Sequence, residues 1–232
     1  MSSARDTPDP GRGGDQYIPR PPTVRLGRPA PWLRLPPDAR HLSLETVRRR
    51  CAALPEPRRM PASVPGMRAA AVLIPLFEED GETRVILTKR ADTMPSHRGD
   101  IAFPGGSRNP DDHGLLDAAL REAHEEVGLP RQAVEVVAEL DTLSTVTTRF
   151  LIAPFVGLLA RRPRLRPDPR EVVSVFDVAL AHLMSDGVHR EEHWGMGPLT
   201  REVHFFELDD ETIWGATAKI LACFLELLTA GG

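Results

Sequence analysis

The sequence predicts a mixed α/β sandwich, one domain on a mixed β-sheet. Three observations predict it. The middle of the chain is a succession of β-rich runs, from "RAAAVLIPLF" at residue 68 to "EVVSVFDV" at residue 171. Two amphipathic helical stretches, "HGLLDAALREAHEEVG" and "ETIWGATAKILACFLELLTA", follow particular strands and not each one. That order lacks the strand–helix alternation of a doubly wound parallel sheet. The 232 residues, 41% of them hydrophobic, suffice for one sizeable core.

Taken in order, residues 1–40 hold nine of the 23 prolines, in "TPDPGRGG", "IPRPPTV", "GRPAPW" and "LPPD". Such a stretch propagates neither helix nor sheet, and the expectation is a tail that is extended or lies over the surface. Residues 41–66 are expected to form a short helix and a linker. "SLETVRRRCAAL" places Leu44, Val47, Cys51 and Leu54 at helical spacing, and "PEPRRMPASVPG" breaks it. Residues 67–232 make the folded domain. "RAAAVLIPLF" and "TRVILTKR" flank the turn "EEDGE" and read as a hairpin. "DIAF" is a short strand that stops at Pro104-Gly105-Gly106. In the helix that follows, Leu115, Leu116, Ala119, Leu120 and Ala123 form the apolar stripe, and Gly128 is its stop. "VEVVAELDTLS", "FLIAPFVGLLA" and "EVVSVFDV" read as strands, and "LAHLM" as a short helix. "GVHREEHWGMG" reads as a loop, "REVHFFEL" as the last strand, and a long helix closes the domain.

Composition narrows the function. The net charge is −4, and residues 1–60 carry twelve Arg against six acidic residues, so the remainder is strongly acidic. A surface of that sign does not bind nucleic acid. Cys51 and Cys223 are far apart in no metal-ligand spacing and read as buried or incidental thiols. No apolar run reaches about 18 residues, so no membrane span is expected. The start "MSSARDTPDPGRGGDQ" lacks the apolar segment of a secretory signal, and the cytoplasm is expected.

The chemistry is concentrated in one helix. Glu122, Glu125 and Glu126 stand at i, i+3 and i+4, so their carboxylates leave from one side and repel. Arg121 is a counter-charge beside them, and Gly105-Gly106 leaves room in front of the helix for a ligand. Clustered hard oxygen ligands select Mg²⁺ or Mn²⁺.

At these residues the chain resembles the Nudix box, G-x5-E-x7-R-E-U-x-E-E-x-G-U with U apolar. Arg121, Glu122, Ala123, Glu125, Glu126, Gly128 and Leu129 fit its second half. The first half departs. Fourteen residues separate Gly106 from Arg121 where the pattern has thirteen, and His113 stands eight before Arg121 in place of Glu. Asp111 and Asp112 are the nearest acids. Upstream, "ILTKRADTMPSHRGDIAFPGG" is similar to the segment that marks coenzyme A-type Nudix hydrolases, through Thr88, Arg90, His97, Gly99, Phe103 and Pro104.

The resemblance implies a Nudix α/β/α sandwich and a metal site of Glu122, Glu125, Glu126 and the Gly106 backbone. It implies catalytic roles for these three glutamates and for Glu171, which would orient water. Substrate contacts would come from Lys89, Arg90, His97, Arg98, Gly105 and Gly106. The implied reaction is hydrolysis of the diphosphate of coenzyme A or acyl-coenzyme A to 3′,5′-ADP and (acyl-)4′-phosphopantetheine. The enzymatic alternative is another nucleotide substrate, such as ADP-ribose or a modified (d)NTP. A non-hydrolytic regulator on this fold is disfavoured because three box glutamates are kept. The expected partner is a small nucleotide-type molecule, with no nucleic acid or membrane; a homodimer is left open.

Overall fold

The computed structural model describes residues 13–14, 16, 18–60, 64–91, 99–145, 149–197 and 200–230. The elements in chain order are β1 (Val24–Leu26), α1 (Leu44–Ala52), β2 (Arg68–Glu79), β3 (Glu82–Arg90), β4 (Ile101–Ala102), β5 (Gly105–Ser107) and α2 (Leu115–Val127). They continue with β6 (Val134–Glu139), β7 (Leu143–Thr145), β8 (Phe150–Leu159), β9 (Val172–Ala179), α3 (Leu180–Leu183), β10 (His189–Trp194), β11 (Arg201–Glu207), β12 (Thr212–Trp214) and α4 (Gly215–Thr229). The architecture is the mixed α/β arrangement the sequence predicts.

β2 is the hub of the larger sheet. It pairs antiparallel with β3 and β5 and parallel with β8. The β2–β3 hairpin closes through Asp80 and Gly81, both at positive φ (54° and 78°), the geometry a two-residue hairpin turn requires. β9 and β4 extend the sheet from β3, and β6 and β7 from β8. β2 and β8 are buried on both faces, so their sequences are continuous apolar runs rather than alternating ones. On one face Ala71, Leu73, Phe77, Ala153 and Phe155 pack against α2; on the other Ile74, Leu76, Val156 and Leu158 join a core with α1 and α4. A second sheet, ordered β1-β10-β11-β12, completes the domain.

α2 meets the sheet through small residues. Ala118, Ala119, Ala123 and Val127 are its buried apolar positions, while Leu115, Leu116 and Leu120 of the expected stripe are only half-buried. Gly128 ends the helix at φ 67°, with its N–H on the His124 carbonyl and the Leu129 N–H on the Ala123 carbonyl.

Two expectations are corrected. Residues 1–40 are not a separate tail throughout: β1 is an edge strand paired antiparallel with β10, and Trp32 is buried with its ring stacked on Phe206 at 6.3 Å. The prolines start two tight 3₁₀ turns, Pro31–Arg34 and Pro37–Arg40, where their fixed φ is an asset. Arg40 is 7% exposed and donates to the carbonyls of Leu33, Leu35 and Met184 and to Asp186. The run read as a loop at 187–197 contains β10, which is polar because charged side chains line both faces between β1 and β11. Among the described residues no helix is long and apolar enough to cross a membrane.

Candidate active site

α2 lies along β5, which brings its glutamates to the glycine pair. Glu126 is 3% exposed, accepts the Gly105 N–H at 3.0 Å, and has the Arg90 guanidinium 3.7 Å away. Glu122 is half-buried against Gly106, where a Cβ would lie 2.6 Å from the Glu122 carboxyl carbon. Gly105 is demanded by the sheet: a Cβ there would lie 2.3 Å from the Ala71 carbonyl oxygen. The two glycines thus serve different neighbours, one the backbone of β2 and the other a carboxylate. Glu125 is the most exposed of the three acids.

Arg121 organises the rim. Its guanidinium donates to both oxygens of Asp112 (2.8 and 3.0 Å), to Glu122 at 2.9 Å, to Glu125 at 2.8 Å and to the Ser107 carbonyl at 3.2 Å. Asp112 is buried and also accepts the Asn109 N–H at 2.7 Å. The hydrogen bonds from Arg121 hold the Asp112 carboxyl down to about 2. Counted forward from Gly106, Asp112 stands where the box has its first glutamate, so the extra residue falls behind it. His113 is exposed, and its N–H donates to Asp117.

Burial pushes the Glu126 carboxyl up to about 7; the Gly105 N–H and Arg90 pull it down, and the charges of Glu122 and Glu171 add to the rise. Burial likewise raises Glu122, with Arg121 opposing and Glu125 and Glu171 contributing. Glu171 is therefore near enough to add its charge to both carboxylates. Its backbone is fixed between two elements. Asp168 N–H donates to the Glu126 carbonyl at 2.9 Å, Glu171 N–H returns to the Asp168 carbonyl at 3.0 Å, and Ala91 N–H donates to the Glu171 carbonyl at 2.8 Å.

The remaining expected residues divide. Arg90 joins the glutamates. Lys89, one position earlier on β3, is ion-paired with Glu211 instead. His97 and Arg98 lie outside the described residues. The chain returns beside Arg90, with Gly99 N–H on the Arg90 carbonyl and Arg90 N–H on the Asp100 carbonyl. Trp214 is half-buried and donates from Nε1 to Asp100 at 3.0 Å.

Residues 67–221, more than half of the chain, match the family model of the NUDIX domain. The chain belongs to the Nudix hydrolases. It is 37% identical over 154 residues to the uncharacterized Nudix hydrolase NudL of Photorhabdus laumondii, covering 66% of this chain and 81% of that protein. It is 41% identical over 162 residues to Nudix hydrolase 22, chloroplastic, of Arabidopsis thaliana, covering 66% of this chain and 53% of that one. Among solved structures, the Nudix hydrolase RenU of M. smegmatis aligns over 48% of this chain and 70% of its own, at 24% identity and a TM-score of 0.42. Nudix hydrolases cleave pyrophosphate bonds and generally use divalent cations. The donors here fit such an ion: crowded carboxylates whose charged forms burial and mutual repulsion disfavour, beside a glycine with no side chain in the way.

Proposed function

We propose that this Nudix hydrolase is a cytoplasmic enzyme dependent on Mg²⁺ or Mn²⁺. It cleaves the diphosphate of coenzyme A or its acyl esters to 3′,5′-ADP and (acyl-)4′-phosphopantetheine. The observation that carries the reading is Arg90, a guanidinium beside Glu126 at the end of the strand bearing the coenzyme A-type segment. A bound divalent cation would neutralise the carboxylates, offset diphosphate charge and activate water. Glu122, Glu125 and Glu126 with the Gly106 carbonyl are the ligands. Glu171 helps orient the attacking water, and Glu122, a member of the box itself, is the candidate base that takes its proton. Arg90, with His97 and Arg98, holds phosphate oxygens through charge-assisted hydrogen bonds, and Lys89 would join them on release from Glu211. Gly105 and Gly106 let the substrate approach the backbone.

The test is a panel of coenzyme A, dephospho-coenzyme A and ADP-ribose with each metal, products identified by mass. If the basic residues read the 3′-phosphate, about 1.5–3 kcal/mol of contact energy predicts a roughly ten- to hundredfold preference for coenzyme A in kcat/KM. Arg90→Ala or Arg98→Ala should shrink that preference. Equal use of both coenzyme forms would remove the 3′-phosphate argument. Faster cleavage of ADP-ribose would reassign the substrate.

A further inference from the structure

A second group of ligating side chains lies away from α2. Glu191 and His193 are two apart on β10, and Glu202 is directly opposite His193 on β11. Strand alternation sends all three to one face of the hairpin. Their ligand atoms lie within 4.8 Å of one another, the one such group of three among the described residues. His193 Nε2 is 2.7 Å from Glu191 Oε1.

The surroundings are built to hold these groups. A Cβ on Gly27 would lie 2.2 Å from Glu191 Oε1, so glycine beside β1 is what admits the carboxylate. The Arg28 N–H donates to the same oxygen at 3.4 Å. From α4, Lys219 donates to Glu202 at 2.7 Å and is 3.1 Å from His204 Nε2. Lys219 supplies one positive charge to this face and Arg25, opposite His193 on β1, a second, so a bound ion would share Glu191 and Glu202 with them.

We propose that Glu191, His193 and Glu202 bind one divalent ion of the zinc class, at a site independent of the α2 glutamates. An imidazole with two carboxylates suits Zn²⁺ and its transition-metal neighbours, whereas an all-oxygen cluster suits Mg²⁺. Ligands of a tetrahedral ion at 2.0–2.2 Å lie roughly 3.3 Å apart, so these side chains, of which Glu202 is the exposed one, need to close by about 1.5 Å at most. Three protein ligands leave the fourth position to water. The ion ties β10 to β11 at the hairpin that also carries β1.

The experiment uses the full chain, stripped of metal, as wild type, as Glu122→Gln/Glu125→Gln, and as His193→Gln. Zn²⁺ is titrated by calorimetry, and Cu²⁺ is added as a paramagnetic probe of nitrogen ligation. One Zn²⁺ should bind wild type and the double variant alike. In His193→Gln binding should weaken at least tenfold, and the Cu²⁺ nitrogen signature should disappear. Glu202→Gln should weaken Zn²⁺ binding similarly. No Zn²⁺ binding to the wild type would overturn the proposal. So would a nitrogen signature that survives in His193→Gln, or binding lost only in the double variant. Diphosphate hydrolysis by His193→Gln should match wild type, so failure of this site and failure of the α2 reading are told apart.

Discussion

Gly106→Ala separates the catalytic geometry from the stability of the fold. Gly106 is not among the positive-φ glycines, so alanine is compatible with its backbone. The added Cβ would lie 2.6–2.8 Å from the three carboxyl atoms of Glu122. Ordinary van der Waals contact requires the carboxylate to retreat by about 0.7 Å or more. That group ends a flexible side chain, so the retreat costs the fold little, and the loss of glycine's unfolded-state freedom offsets part of it. Displacement of order 1 Å at a reacting centre costs about a hundredfold in rate. The expected outcome is therefore kcat/KM down about a hundredfold with Tm within a few degrees of wild type. Gly105→Ala is the contrast. Its Cβ would meet the Ala71 carbonyl at 2.3 Å and Val72 Cα at 2.6 Å, backbone that cannot swing aside. It should lose several kcal/mol of stability, measured by urea unfolding. Wild-type turnover in Gly106→Ala would refute the reasoning, as would a stability loss matching that of Gly105→Ala.

Three further outcomes are expected. Trp32→Ala should cost roughly 3–5 kcal/mol in urea unfolding, because a fully buried ring leaves the core; Trp32→Phe should cost much less, since Trp32 Nε1 is a buried donor with no acceptor among the described residues. A surface-tail role for residue 32 would make both neutral. Glu171→Gln should lower kcat about a hundredfold with Tm unchanged; an unaltered rate would leave water activation to Glu122 alone. Burial raises the Cys51 thiol from 9.0 to about 11. The unfolded thiol ionises first, so this stabilising contribution is full below pH 9 and is lost as pH rises toward 11. At pH 8 a thiol reagent should label Cys51 only as fast as the protein opens, and rapid labelling of the native state would contradict its burial.

Much of the site could be read from residue spacing. The glutamates at i, i+3 and i+4 share one side of α2, and the glycine pair lies in front of them, because both are local consequences of helix and turn geometry. The hairpin turn at Asp80-Gly81 and the stop at Gly128 were legible for the same reason. What could not be read was set by partners distant in sequence. Nothing local says that Glu126 is buried under the Gly105 N–H, or that Lys89 turns to Glu211 while Arg90 turns to the glutamates. β10 carries no apolar alternation, so only its pairing with β1 and β11 identifies it. Trp32 sits among prolines that signal a tail, and its burial depends on Phe206, on a strand far along the chain.

The pairing of β1 with β10 also sets the schedule on which the molecule is completed during synthesis. Val24 opposes Trp194, 170 positions later. At about 5–20 residues per second, β1 leaves the ribosome roughly 10–30 s before its partner strand exists. Through that interval Trp32 has no Phe206 to cover it, and the edge of β1 is open to any other extended chain. Proline density in this stretch then has a second use. Pro19, Pro21 and Pro22 lie just before β1 and Pro29 and Pro31 just after it, so the waiting strand is too short and too interrupted to template a neighbour.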